Sequence, residues 1–270
     1  MLPRHWSELS RDDIAGGRLG EAVAVLPLAA VEQHGPHLPL GVDRFIMQAH
    51  LDAVLAAPGE VPFVLLPVQD VGASDEHLAF PGTLSLTPAL ALPAWTALGE
   101  GVHRAGCTRI VLVSSHGGNT PVMDLVAQAL RVRFGMIAVT TSWQRLGPPP
   151  DFGPDLANDL AHDWHGGFAE TSVMLACRPD LVRMDKAADF VSRGRAMEDD
   201  YTVLRATRPA GFAWMAQDLH ATGALGDASR ATAEAGRLIL AHAAPLPGPA
   251  RRRPALQPVA ASRRTPATSA

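Results

Sequence analysis

The stretch AAVEQHGPHLPLGVD, residues 29–43, brings Glu32, His34, His37 and Asp43 together directly behind an apolar run, Ala22–Leu28. Glu32 and His34 are two residues apart, so on an extended chain both side chains project to one side. A carboxylate and an imidazole aimed at one point are donors suited to zinc, manganese or iron. Asp43 stands at the start of a predicted helix, where a carboxylate serves either as a further ligand or as a cap.

Three more segments carry the same residue types. SSHGGN puts His116 at the end of an apolar run and follows it with Gly117, Gly118 and Asn119. The glycines suit a tight strand-to-helix turn, and the amides of Gly118 and Asn119 could face an anion at the helix start. WHGGFAETS supplies His165 and Glu170. A glutamate near a helix N-terminus is favoured anyway, but the apolar SVMLAC behind it predicts a buried helix. An unpaired carboxylate is costly there, and a metal would offset that cost. GASDEH adds a polar cluster, Ser74, Asp75, Glu76 and His77, of which Ser74, Glu76 and His77 are candidates for holding a substrate. Trp143 and Trp164 flank these segments and serve either as pocket walls or as plain core residues. His50, His103, His162, His220 and His242 lie on helical or loop patterns and read as surface or core residues.

Each cluster needs an element to position it. EAVAVLPLAA, VPFVLLPVQDVG, TRIVLVSS and GMIAVTTSW read as four buried strands. Helical patterns over DRFIMQAHLDAVLAA, TPALALPAWTALGEGVHRAG and TPVMDLVAQALRVRF alternate with them. Near-continuous apolar strands between amphipathic helices predict an α/β fold, a mostly parallel central sheet covered on both faces. After a Pro- and Gly-rich loop, QRLGPPPDFGPDL, helices are expected over FAETSVMLAC and DASRATAEAGRLILAHAA. In open α/β sheets ligands gather beyond the carboxyl ends of the strands. All four strand ends run into polar residues there, and their convergence on one edge is what marks a site.

Composition narrows the function classes. The chain has 270 residues, 47% hydrophobic and 19% charged, with a formal net charge of −4. That fits a single globular domain, expected over residues 1–247, and gives no reason to expect nucleic acid or an anionic membrane as partner. Cys107 and Cys177 are the only cysteines, so neither a disulfide framework nor a cysteine-type zinc site is available. The start, MLPRHWSELSRDD, lacks the apolar core of a signal peptide, and no apolar run is long enough to span a bilayer, so a cytoplasmic protein is expected. Residues 248–270 hold five arginines and no acid among Pro, Ala and Ser, a composition that reads as a disordered basic tail.

Taken together, EQHGPHLPLGVD, SSHGGN and HGGFAETS resemble the motifs of the creatininase (creatinine amidohydrolase) family. DEHLAFPGTLSL and GALGDASRATAEAG resemble it as well, so the likeness spans residues from about 20 to about 245. The resemblance implies a three-layer α/β/α fold with a two-metal site at the carboxyl edge of the sheet. It implies Glu32, His34, Asp43, His116 and Glu170 as ligands, Asp43 bridging the two ions, and His165 as the acid–base residue. It also implies a homo-oligomer, commonly a hexamer.

Two divalent ions, zinc first and manganese or iron next, would activate water for hydrolysis of a C–N bond in a small cyclic or linear amide or a formamide. Creatininase proper carries an aromatic residue and a glutamate where this chain has Gly117 and Gly118. That difference removes one possible ligand, hands its role to Glu170, and opens room on the substrate side. Creatinine is therefore a poor fit. Related branches of the family act as a deformylase on a pyrimidine ribotide and as a peptidase in mycofactocin maturation. Two readings from other classes are a dinuclear phosphoesterase, disfavoured because no site motif holds an arginine, and a metal-binding module without turnover, for which His165 would have no use.

A chain ending at residue 247 is expected to keep the melting temperature and turnover of the full chain, because the tail's composition does not offset the entropy of ordering it. Thermal denaturation and an activity assay of the two chains side by side check this.

Overall fold

The computed structural model describes residues 4–57, 61–153, 156, 160–207 and 209–244; the basic tail at 248–270 lies outside them. Its centre is a four-stranded parallel sheet made of β1 (Val23–Leu28), β2 (Phe63–Leu65), β3 (Arg109–Ser114) and β4 (Ile137–Ser142), in the order β2-β1-β3-β4. Helices α2 (Val42–Ala56), α3 (Pro88–Arg104) and α4 (Thr120–Phe134) make the three crossovers, and a short α1 (Arg11–Ala15) precedes β1. The register sets Leu28 opposite Ser114, and Ser114 opposite Ser142. Three strands thus end level with one another, and the segments that follow them leave from one edge.

Side-chain alternation decides which helix covers which face. Ala24, Leu26, Leu28, Ile110 and Leu112 point to the side packed with Trp95 and Val102 of α3 and Val122, Val126 and Leu130 of α4. Val25, Val111 and Val113 point the other way, onto Met47 and Leu51 of α2. Each buried Leu, Ile or Val contributes roughly 1.5–3 kcal/mol over its exposed state, so a one-residue slip of register would exchange both cores at once. Outside α2 lie α5 (Phe168–Cys177) and, later in the chain, α8 (Ala233–Ala243). Val42, Ile46, Val173, Met174 and Ile239 form the third packed layer.

The second strand is shorter than the apolar run suggests. Its ladder covers only Phe63–Leu65: the Leu66 N–H still donates to Val25 O, but the next donor on the facing strand would be Pro27, which has no N–H to give. The segment still follows β1 as far as Gln69, whose N–H donates to Pro27 O at 3.0 Å. The last helix begins later than expected, at Ala233, where the Thr232 hydroxyl accepts the Ala235 N–H. Gly226–Asp227 instead forms a short strand β6, antiparallel to β5 (Asp189–Phe190), and Asp227 caps a 3-10 turn over Ala228–Arg230. Between them stand α6 (Arg193–Asp200) and α7 (Ala216–Leu219), for which no amphipathic period is visible.

The helices α5 and α8 meet backbone to backbone. A Cβ on Gly236 would press into the Ser172 carbonyl. Gly236→Ala is therefore expected to lower stability by about 1–3 kcal/mol, the usual cost of overpacking, although alanine is the better helix former by about 1 kcal/mol. Urea denaturation of the two proteins measures the difference.

Candidate metal centre

Beyond the carboxyl edge the chain after β1 stays extended, and Glu32 and His34 turn inward, 0% and 1% exposed. Asp43 comes in from the first turn of α2, whose N-cap is Gly41 with no side-chain cap bond. The cap reading of Asp43 thus fails: its Oδ2 has no hydrogen-bond partner. Glu76 and His77 arrive on a 3-10 turn after β2, Asp75–His77, and His116 follows directly on β3. Glu170 lies in the first turn of α5, and its Oε2 accepts the Gly166 N–H at 2.7 Å.

The hydrogen bonds fix where the imidazole protons are. His34 Nδ1 donates to Glu32 O at 3.1 Å, so Nε2 presents a lone pair. That lone pair lies 3.5 Å from Asp43 Oδ2 and 3.5 Å from Glu170 Oε2. His165 Nε2 donates to Gln33 O at 2.5 Å, leaving Nδ1 3.6 Å from Glu32 Oε1. For His77 the proof runs through Gln33. Its Oε1 accepts the Gly35 N–H at 2.9 Å, so its Nε2 must donate, to Gly223 O at 3.0 Å and to His77 Nδ1 at 2.8 Å. The His77 proton is therefore on Nε2, 3.4 Å from Glu32 Oε1. His116 Nε2 donates to Ala73 O at 3.0 Å, and its Nδ1 approaches Glu32 Oε1 to 3.0 Å. That approach is at ion-pair distance but outside hydrogen-bond geometry, and both Glu32 oxygens remain without a hydrogen-bond partner.

Burial and mutual repulsion set the charges. Burial, then the charge of Glu32, raises Asp43 well above the ordinary carboxylate range. Burial also lifts Glu170 to about 8. Burial and the nearby His165 push His34 well below its usual value and His77 down to about 3, and burial lowers His165 too. Burial opposes charge on His116 as well, but Glu32 outweighs it and raises His116 to about 10; in return His116 holds Glu32 ionised against burial.

This donor set fits metal ions. An imidazole lone pair facing two carboxylate oxygens is repulsive unless a proton or a cation lies between them, and a cation turns the arrangement into a binding site. Among the described residues three groups have donor atoms close together: Glu32, His34 and Asp43; His34, His165 and Glu170; and Glu32, His77 and His165, in the last of which His77 Nε2 carries a proton and offers no lone pair.

Of the residues expected as ligands, Glu32, His34, Asp43 and Glu170 fall within these groups, and His116 abuts Glu32. His165 sits among them, its ring stacked between His34 and His77 at centroid distances of 4.1 and 4.2 Å. His77, expected on the substrate side, lies beside Glu32, with its Nε2 3.4 Å from Glu32 Oε1. The "EH" of DEHLAFPG carried that signal. Gln33, between the two ligand positions, is the residue that sequence reasoning passed over.

His37 lies apart, with Nε2 2.9 Å from Thr171 Oγ1 and its ring on Phe190. Ser74 is fully buried behind His116, Oγ to Nε2 3.4 Å. Asn119 is buried as well and holds the strand ends together. Gly117 opens onto free space, but Gly118 does not, which corrects the expectation that both glycines make room. A Cβ there would run into Glu76 Oε1, His116 Nε2 and Ala73 O. A cavity of about 260 Å³ opens beside His165 and Glu170, with Trp143, Trp164, Phe152, Pro148 and Pro149 in its wall.

A family model described as creatininase, creatinine amidohydrolase, matches residues 7–245. The chain belongs to the creatininase family. Among its relatives is a mycofactocin precursor peptide peptidase of Mycolicibacterium smegmatis, 32% identical over 223 residues that cover 82% of this chain and 80% of that one. Another is a creatinine amidohydrolase of Pseudomonas putida, 29% identical over 242 residues covering 82% and 85%. A zinc–zinc form of a mutant creatininase superposes with a TM-score of 0.70 at 26% identity, over 90% of this chain and 95% of that one. A manganese creatininase superposes with 0.68 over the same shares, also at 26% identity. The protein is thus a creatininase-family metal-dependent hydrolase, and its buried His, Glu and Asp clusters are consistent with a binuclear metal site. No helix among the described residues is long and apolar enough to cross a membrane.

With metal removed by a chelator, Glu170 leaves a pH signature. A carboxyl raised in the folded state holds a proton there that the unfolded chain releases. Its stabilisation is complete below the ordinary glutamate pKa and is lost as pH rises through about 8. The Glu170 contribution in metal-free protein is expected to fall from about pH 5 to 8, by on the order of a few kcal/mol at about 1.4 kcal/mol per unit. It is read as the difference in urea midpoints between wild type and Glu170→Gln across the range, because the lowered histidines and the raised Asp43 and His116 shape the total.

Proposed function

We propose that this protein hydrolyses the C–N bond of an amide, using two divalent ions held by Glu32, His34, Asp43, His116 and Glu170. The observation that carries the reading is the His34 Nε2 lone pair, buried 3.5 Å from both Asp43 Oδ2 and Glu170 Oε2. Asp43, within one donor group with Glu32 and His34 and facing Glu170 across the His34 nitrogen, is positioned to be shared between two ions. Zinc comes first among the candidate metals, with manganese or iron next. Bound there, such ions lower the pKa of water toward roughly 7 and polarise a carbonyl oxygen.

His165 is the acid–base residue in this reading. Its Nε2–H is committed to Gln33 O, so only Nδ1 is free to accept a proton and pass it to a departing nitrogen. Burial, with the charge of His116, lowers its pKa and favours the neutral form, which is the form able to accept. It also lines the cavity, so a substrate lying there reaches it.

The cavity favours a linear amide over a small ring. Its wall of tryptophan, phenylalanine and proline offers apolar area to an extended chain. Small rings draw their affinity from close packing and matched hydrogen bonds, and Gly117 supplies neither. A peptide substrate is favoured over other amides by one further observation, the 32–33% identity to the mycobacterial mycofactocin precursor peptide peptidases. Small formamides remain the second substrate class to assay.

The expected metal content is close to two ions per chain by elemental analysis. Asp43→Ala should lose metal and activity together, whereas His165→Ala should keep its metal and lose roughly 100- to 10,000-fold in turnover. Loss of metal from the His165 variant would make it a ligand, and a single tight ion would end the two-metal reading. Assays of short peptides, formamides and creatinine side by side test the substrate class, with creatinine expected to be the poorest.

A further inference from the structure

Glu76 has no place in the ligand set, yet it is built into the site. Its Oε1 stands 3.4 Å from His116 Nε2, the nitrogen that already donates to Ala73 O at 3.0 Å. The opposite ring nitrogen, Nδ1, is the one turned toward Glu32. A histidine that ligates through one nitrogen usually directs its other N–H to a carboxylate or a backbone carbonyl, which fixes the tautomer and makes the ligating nitrogen more basic. On the Nε2 side of His116, Ala73 O accepts the hydrogen bond, and the Glu76 carboxylate stands at ion-pair distance, level with Ser74 Oγ at 3.4 Å. The space for the carboxylate comes from Gly118, where a Cβ would collide with Glu76 Oε1, His116 Nε2 and Ala73 O together. A Cβ on the neighbouring Gly117 would meet nothing. The second glycine of SSHGGN is thus tied to a carboxylate on a different loop, and the first is not.

We propose that Glu76 is a positioning residue for His116: its carboxylate, with Ala73 O, holds the Nε2–H and turns Nδ1 to the metal, and residue 118 is glycine to leave room for it. The inference rests on the two-metal reading above. It differs from the expectation that Glu76 contacts substrate, since its near neighbour is a ligand histidine rather than the cavity. Glu76 keeps about a fifth of its side chain exposed, so it is reached by solvent while it faces the ring.

The test uses the full chain, stripped of metal and reloaded with zinc, with affinity read by competition against a chromophoric chelator. Glu76→Gln is expected to weaken zinc binding by about 10–100-fold while the ion count at saturation stays at the wild-type value. Gly118→Ala should weaken it in the same direction. The double variant should lose less than the two single losses multiplied together, because both disturb one contact. Loading with cobalt gives a second readout, a shifted visible spectrum in Glu76→Gln. Unchanged zinc affinity and cobalt spectrum in that variant, with only KM altered, would overturn the proposal in favour of a substrate contact. Loss of one ion at saturating zinc would overturn it by making Glu76 a ligand. Failure of the wild-type chain to bind zinc, manganese or iron would instead bring down the two-metal reading itself, so the two failures are told apart.

Discussion

The carboxamide of Asn119 is the joint on which the site depends. Its Oδ1 accepts the Ala73 N–H at 2.8 Å, and its Nδ2 donates to Ala29 O at 3.0 Å and to Ser114 Oγ at 3.1 Å. One fully buried side chain thereby ties together the ends of β1 and β3 and the loop after β2. Those are the segments that deliver Glu32 and His34, His116, and Glu76 and His77. Leaving a buried donor or acceptor without its partner costs about 1–3 kcal/mol, and here a loss would also release a loop whose donor atoms must meet within a few tenths of an ångström. An asparagine suits the task because it both accepts and donates, and the two strand-end oxygens and the loop N–H require both.

Held at that spacing, the ionisable groups conflict with one another. Three carboxylates, Glu32, Asp43 and Glu170, are buried with too few donors, and several of the imidazole protons nearby are spent on main-chain carbonyls. His34 gives its proton to Glu32 O, His165 to Gln33 O and His116 to Ala73 O. Taking a carboxylate out of water costs several kcal/mol unless it is compensated. The metal-free molecule compensates locally, by the Glu32–His116 ion pair and by raised proton affinity at Asp43 and Glu170. Divalent ions answer the same need with charge and at the same points. The backbone therefore pre-sets the tautomers of His34 and His165.

How much of this was legible in the sequence follows the range of each interaction. The parallel sheet was, since apolar runs such as TRIVLVSS and the helical period of TPVMDLVAQALRVRF are local signals, and so was the gathering of polar residues past the strand ends. Shortening of β2 was not, because it follows from Pro27 on the neighbouring strand, whose register against β2 exists only after folding. Glu32, His34, Asp43, His116 and Glu170 could be picked out by type and spacing, with family resemblance supplying their roles. The fit between Gly118 and Glu76 could not, because two loops forty residues apart in the chain meet only after folding. Nor could the tautomer of His77, which passes through Gln33 to Gly223 O. The region between α5 and β6 escaped for another reason: its short helices and turns carry no period that either strand or helix imposes.

That irregular region nonetheless decides where His165 stands. The Leu225 N–H donates to His165 O at 2.7 Å, and Leu225 O receives the N–H of both Trp164 and His165. One residue earlier, Ala224 is wholly buried between the turns at Gly35 and Gly166, leaving no room there for a larger side chain. Gly223 O, one residue earlier again, accepts from the Gln33 amide that orients His77. Three consecutive residues with no ionisable group between them thus hold His165, the residue proposed for acid–base work, together with the spacing of the two turns around it and the proton position on its stacked neighbour. The chemistry sits on the strand ends, but its alignment is set by a segment whose residues would look dispensable one at a time. Small size and main-chain oxygen atoms, rather than functional groups, are what the segment contributes.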